Sequence, residues 1–130
     1  MGQRSFKVKA SSFIQLQLSV NLPEDYKEFL DTTGYLCFDN ISQEIYGYEQ
    51  GFDIEKLPCV IAATKNNKED YSLDPTEIVI SHANYEDHII ILNTQTSYIF
   101  EISLDGYKKK LANSFSDWLS VMLARNEANN

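Results

Sequence analysis

The side chains that could carry chemistry in this chain are few and scattered. His82, Glu86, Asp87 and His88 fall close together around one predicted hairpin turn. Two imidazoles and a carboxylate could form an open metal site. Hairpin spacing is loose, however, and no second cluster supports a site, so both histidines are read as the ends of adjacent strands. Cys37 and Cys59 share no C-x-x-C spacing and are read as two buried free thiols in a reducing compartment. A Cys–His nucleophile pair would need a cysteine at a strand-to-helix elbow, and neither occupies one. The pairs Glu24-Asp25, Glu69-Asp70 and Glu86-Asp87 read as a helix start and solvated turns. The chain has no G-x-S-x-G, P-loop or dinucleotide fingerprint. The expectation is therefore no enzyme, no cofactor and no metal.

A partner surface is the better candidate. Glu44, Tyr46, Tyr48, Glu49 and Asp53 combine carboxylates with tyrosines in a glycine-flanked region. Carboxylates can occupy the positions that phosphates take in a basic cleft, and tyrosines make rigid anchors. Glu86 and Asp87 are assigned to the same surface. The competing reading is that Tyr46 and Tyr48 straddle a strand, one buried and one exposed, with the acids only solvating the loop. Lys108-Lys109-Lys110 could meet phosphate, but three lysines beside a strand read as an edge guard against aggregation.

Charge narrows the partner further. The formal net charge is −8 and it is unevenly placed. Residues 1–20 carry +3, residues 21–106 carry −13 and residues 107–130 carry +2. A body this acidic repels nucleic acid and anionic membrane and speeds encounter with a basic protein. The longest apolar runs, Cys59 to Ala63 and Ile89 to Leu92, are too short to span a bilayer. With no signal peptide visible, a cytoplasmic protein is expected, a monomer or weak dimer.

The elements that must position these groups follow from periodicity. At 130 residues one domain is expected. Leu22-Pro23-Glu24-Asp25-Tyr26-Lys27-Glu28-Phe29-Leu30 has proline at a helix start, acids in the first turn and apolar residues at helical spacing. A helix is predicted over 23–33, ended by Gly34. Ile78 to Ile80, Ile89 to Leu92 and Tyr98 to Leu104 predict an antiparallel meander, with Tyr107 to Leu111 as a further short strand. Ser114, with Asp117 three residues on, caps a terminal helix whose apolar stripe is Phe115, Trp118, Leu119, Met122 and Leu123. Residues 1–12 are expected to form a loose arm and 126–130 a frayed tail. Residues 13–20 alternate as a strand would, although Ile14 and Leu18 also sit four apart. Residues 58–71 fit strand and helix about equally.

Taken in order, LPEDYKEFL, the glycine-containing Ile45-Tyr46-Gly47-Tyr48, the strands from Glu77 and the closing Ser114-Phe115-Ser116-Asp117-Trp118-Leu119 resemble the SUKH superfamily, the Smi-one/Knr-four type, over roughly residues 14–125. The resemblance implies an α+β domain with a largely antiparallel sheet of about four to six strands, flanked by N-terminal helices and a C-terminal helix. It favours helix for residues 11–20. Most bacterial members of the superfamily act as immunity proteins that bind a cognate toxin, often a nuclease, and eukaryotic relatives look like regulatory interaction hubs. The implied function is a non-enzymatic immunity protein; the alternative is a regulatory adaptor with no toxin partner.

Overall fold

The computed structural model describes residues 9–83 and 87–129. Helix α1 spans Ala10–Leu18 and α2 spans Glu24–Thr32. Pro23 is the N-cap of α2, where its missing N–H costs nothing, and Glu24 and Asp25 face the positive end of the helix dipole. Tyr26, Phe29 and Leu30 are buried. Gly34 ends the helix at φ 85°, and its N–H donates to the Phe29 carbonyl at 2.8 Å.

Helix α1 overturns the alternating reading of residues 13–20. Alternation would have put Ile14, Leu16 and Leu18 on one face, but Ile14 is fully buried while Leu16 is 76% exposed. The helical spacing of Ile14 and Leu18 prevails because α2 is there to receive it. The Asp31 carboxylate accepts from the Ser11 N–H at 2.9 Å and the Ser11 hydroxyl at 2.8 Å, and Gln15 Oε1 accepts from the Leu22 N–H at 2.8 Å. These bonds also correct the expected loose arm at its C-terminal end: residues 10–12 are helical and Ser11 is buried. Residues 1–8 lie outside the described residues.

Strands β1 (Leu36–Phe38) and β2 (Gln43–Ile45) form a short antiparallel ribbon around a 3₁₀ turn, and α3 (Val60–Asn67) follows. The predicted meander is β3 (Glu77–His82), β4 (His88–Asn93), β5 (Ile99–Ser103) and β6 (Lys108–Ala112), antiparallel in chain order. The α+β class holds, with the strands divided between a four-stranded and a two-stranded sheet. The division has a local cause. The β3–β4 register shifts between Val79 and Ser81, so β3 presents no continuous edge to β2. One backbone bond, Tyr46 N–H to Ile80 O at 2.8 Å, joins the pieces. Side chains add to it: the buried Gln43 amide donates to Ser81 Oγ at 2.6 Å and to the His82 carbonyl at 2.5 Å, and the Ser81 hydroxyl donates to the Glu44 carbonyl at 2.5 Å.

Helix α4 (Phe115–Ala128) starts at Ser114, whose hydroxyl accepts the Asp117 N–H at 3.1 Å as the capping pattern requires. Phe115 packs on Tyr26 and Phe29 with ring centroids 5.0 and 5.2 Å apart, which locks α4 to α2. Two expectations need correction. Leu123 is 47% exposed, because the buried stripe is the narrower set Phe115, Trp118 and Met122. The tail does not fray at 126, since α4 continues to Ala128 and Asn126 is held at both its side-chain and backbone oxygens by Asn40 at 3.0 Å.

Candidate protein-interaction surface

The seven expected contact residues do not form one patch. Glu44 is exposed on β2, opposite Cys37 of β1. Tyr46, two positions on, is 4% exposed. Its hydroxyl lies 2.6 Å from His82 Nδ1 and its carbonyl accepts the Tyr26 hydroxyl at 2.7 Å. Tyr48 is half-buried, its ring 4.8 Å from Phe13 and 6.1 Å from Phe52. Much of the tyrosine content in this region therefore serves packing, as the competing reading had it for Tyr46. Glu49 is exposed beside Gly34, and Asp53 turns back to accept the Glu55 N–H at 2.9 Å. Asp87 is exposed at φ 65°, and its carbonyl accepts from Leu104 at the β5–β6 turn. Glu86 lies outside the described residues.

What the fold does build is a cleft of about 400 Å³ at the open side of the β1–β2 ribbon. Asp39, Ser42 and Glu44 line its rim, Cys37 adds a thiol, and Tyr46 with His82 closes its floor. Of these, the sequence had singled out only Glu44 and Tyr46 for contact. Asp39 sits on the 3₁₀ turn between the two strands, and nothing in local pattern distinguishes it from other loop acids. Tyr35, on the approach to β1, has its phenol pushed up to about 12 by burial, with the Glu44 carboxylate and Cys37 adding to it. Burial also carries the Tyr46 phenol well above its ordinary range.

The thiols are not primed for nucleophilic chemistry. Cys37 is exposed rather than buried, because β1 is an edge strand and position 37 points out of it. Its sulfur donates to Asp39 Oδ1 at 3.4 Å, and desolvation followed by the Asp39 carboxylate raises its pKa. Cys59 is buried and also raised, by desolvation first. A thiol held protonated is a poor nucleophile.

The two histidines end adjacent strands, as read from the sequence, and diverge. His82 pairs with Ile89 and His88 with Ser103, so neighbouring positions on β4 send the imidazoles to opposite faces of the sheet. His88 Nδ1 is 2.6 Å from Glu101 Oε2, whereas His82 faces Tyr46. Lysines at the far edge are also engaged: Lys108 Nζ reaches Glu77 at 3.3 Å and lies 4.4 Å above the Phe100 ring, and Lys110 Nζ lies 3.7 Å above Tyr98.

Burial lowers the His82 pKa from its ordinary 6.5. Its Nδ1 lies 2.6 Å from the Tyr46 hydroxyl, a contact that a neutral imidazole makes without a buried charge. The folded state thus binds the His82 proton less tightly than the unfolded chain does. Its contribution to stability is complete above 6.5 and falls away as pH drops through the lowered folded value. Urea midpoints measured across this range should fall more steeply with acidification in the native protein than in His82→Gln. Equal slopes would assign the acid sensitivity to other groups.

Fold and surface together define a small α+β domain with an acid-rimmed cleft where a short ribbon meets the main sheet. No helix among the described residues is long and apolar enough to cross a membrane. The chain belongs to the SMI1-KNR4 family, the SUKH group: the family model SUKH_5, described as SMI1-KNR4 cell-wall, matches residues 9–124. A comparison with curated proteins found no match. The matched span begins just before α1 and ends within α4, so it takes in every element before α4 and most of α4 itself.

Proposed function

We propose that this chain is a non-enzymatic immunity protein of the cytoplasm that binds a cognate bacterial toxin domain and neutralises it. The observation that carries the reading is the cleft rimmed by Asp39 and Glu44 over the Tyr46–His82 floor, on a chain of net charge −8. Two carboxylates at the mouth of a cleft suit lysine and arginine side chains, the groups with which a nuclease grips phosphate. Their charge speeds encounter with a basic domain, and salt weakens it. Glu49, Asp53 and Asp87 are exposed and extend the acidic field around this contact; Tyr48 contributes the edge of its half-buried ring.

The test is co-expression with a toxin domain encoded by the adjacent gene. The native chain should protect the cell and co-purify with the toxin. Asp39→Lys with Glu44→Lys should weaken binding by about a hundredfold and abolish protection, because each reversal places like charges face to face. Circular dichroism should show the variant folded, since both side chains are exposed. Killing by the toxin in the presence of the native chain, with no complex formed, would overturn the immunity reading. Full protection by the double variant would move the contact away from this cleft.

A further inference from the structure

One polar group in the core lacks a partner. Trp118 is 2% exposed, and its indole Nε1 is a buried donor with no hydrogen-bond acceptor among the described residues. A buried donor left unpaired is costly, so native structures nearly always supply it with an acceptor. The ring is held in place on α4, 6.1 Å from the Phe115 ring. It lines a cavity of about 130 Å³ between α4 and strands β2, β4 and β5.

The two walls of this cavity differ in chemistry. Helix α4 contributes Trp118, Met122 and Arg125, whose helical spacing puts them on one face. The polar groups on that wall, the indole N–H and the guanidinium, only donate. The strands contribute Gln43, Ile90 and Glu101, the last two being register partners on β4 and β5. The polar groups on this wall accept. Gln43 spends its amide nitrogen on Ser81 and His82, and its oxygen takes part in neither bond. The Glu101 carboxylate, 2.6 Å from His88 Nδ1, brings acceptor oxygens. Arg125 is exposed, so the cavity meets solvent beside it, and no carboxylate among the described residues pairs with its guanidinium.

We infer that this cavity binds a primary carboxamide, carried either by a small free amide or by an asparagine or glutamine side chain. The carboxamide oxygen accepts from Trp118 Nε1 and the Arg125 guanidinium on the helix wall. The NH₂ group donates to Gln43 Oε1 and the Glu101 carboxylate on the strand wall. A carboxylate would stand beside Glu101 and an ammonium beside Arg125, so each charged alternative meets its own sign. A water molecule takes up roughly 30 Å³, so one water would leave most of the space empty. A carboxamide with the carbons behind it fills the space against Ile90 and Met122. The site takes a neutral group, unlike the acid-rimmed cleft.

Trp118 is the only tryptophan of the chain, so its indole N–H gives a single NMR signal that reports on this cavity. The full chain is titrated with propionamide, propionate and propylammonium, three probes of similar size. Propionamide should saturate at about millimolar concentration and move the indole proton downfield, as the N–H gains an acceptor. The two charged probes should bind at least about tenfold more weakly. Arg125→Met should weaken propionamide about tenfold with an unchanged thermal melt, because the side chain is exposed. Free glutamine and a pentapeptide of glutamine flanked by alanines separate the two sources. Tighter binding of the amino acid assigns the site to a small molecule, and tighter binding of the peptide assigns it to a partner's side chain. An indole signal that no amide moves, with only a water cross-peak to it, would reduce the cavity to a hydration site and overturn the inference. Equal binding of the three probes would overturn it as well.

Discussion

Gly47→Ala is expected to cost at least about 3 kcal/mol, a large fraction of the stability of an ordinary domain. A Cβ at this position would stand 1.7 Å from the Gly34 carbonyl oxygen and 2.9 Å from its carbon. Both are backbone atoms, so no rotamer change relieves the overlap. Gly47 is also fastened from the opposite side. Its N–H donates to Pro58 O at 3.2 Å, its carbonyl accepts from Val60 N–H at 2.8 Å, and the next residue, Tyr48, donates to Gly34 O at 2.9 Å. The chain ends of α2 and α3 are tied together through this one residue. Backing away by an ångström would break those bonds, and Gly34 is fastened in turn, its N–H donating to the Phe29 carbonyl at 2.8 Å. Urea unfolding monitored by circular dichroism tests this, and a loss under 1 kcal/mol would show that the two backbones can separate without penalty.

Tyr26 should show the second large effect, and it divides into two parts. The side chain is fully buried, with ring centroids 5.8 Å from Phe29 and 5.0 Å from Phe115, and its hydroxyl donates to the Tyr46 carbonyl at 2.7 Å. Tyr26→Ala removes the ring on which α2 and α4 meet and should cost about 3–5 kcal/mol. Tyr26→Phe keeps the packing and removes only the donor, which leaves a buried carbonyl unpaired and should cost about 1–2 kcal/mol. The phenol has no route to compensate by ionising, since burial drives its pKa well above the ordinary value. Urea midpoints for both variants with an unchanged denaturant slope would confirm the division. Equal costs for the two would mean that the hydrogen bond to Tyr46, not the packing of α2 on α4, carries the loss. The Phe variant has a further consequence, because the freed carbonyl belongs to the floor of the proposed toxin cleft. Weaker toxin binding by Tyr26→Phe would link core and surface through Tyr46.

The helix at Leu22–Leu30, the meander and the capped C-terminal helix were legible because each is specified locally. Proline and acids at a helix start, isoleucine runs between turn residues, and a serine three positions before an aspartate act over a few residues of chain. Residues 13–20 were misleading because a short apolar pattern can satisfy two periods at once, and only the presence of α2 chose between them. The tail and Leu123 were misjudged for the same kind of reason. Asn126 is ordered by Asn40, a residue distant in sequence, and the width of the buried stripe on α4 depends on what it packs against.

The candidate site divides along the same line. The acidic middle, the wide spacing of the cysteines and the close spacing of the two histidines are properties of the chain as written, and they pointed to a binding surface before any fold was known. Whether a given side chain belongs to that surface was decided by the tertiary structure. Tyr46 and Glu44 lie two positions apart, yet one is buried against His82 and the other is open to solvent. Asp39 and Glu44 share a cleft only because β1 and β2 pair around a 3₁₀ turn, and the two histidines diverge because adjacent positions on a strand face opposite ways. Composition and local spacing determine which groups a chain has and which elements it forms. Where those groups meet depends on strand pairing and on contacts between distant segments, and no short window of sequence contains them.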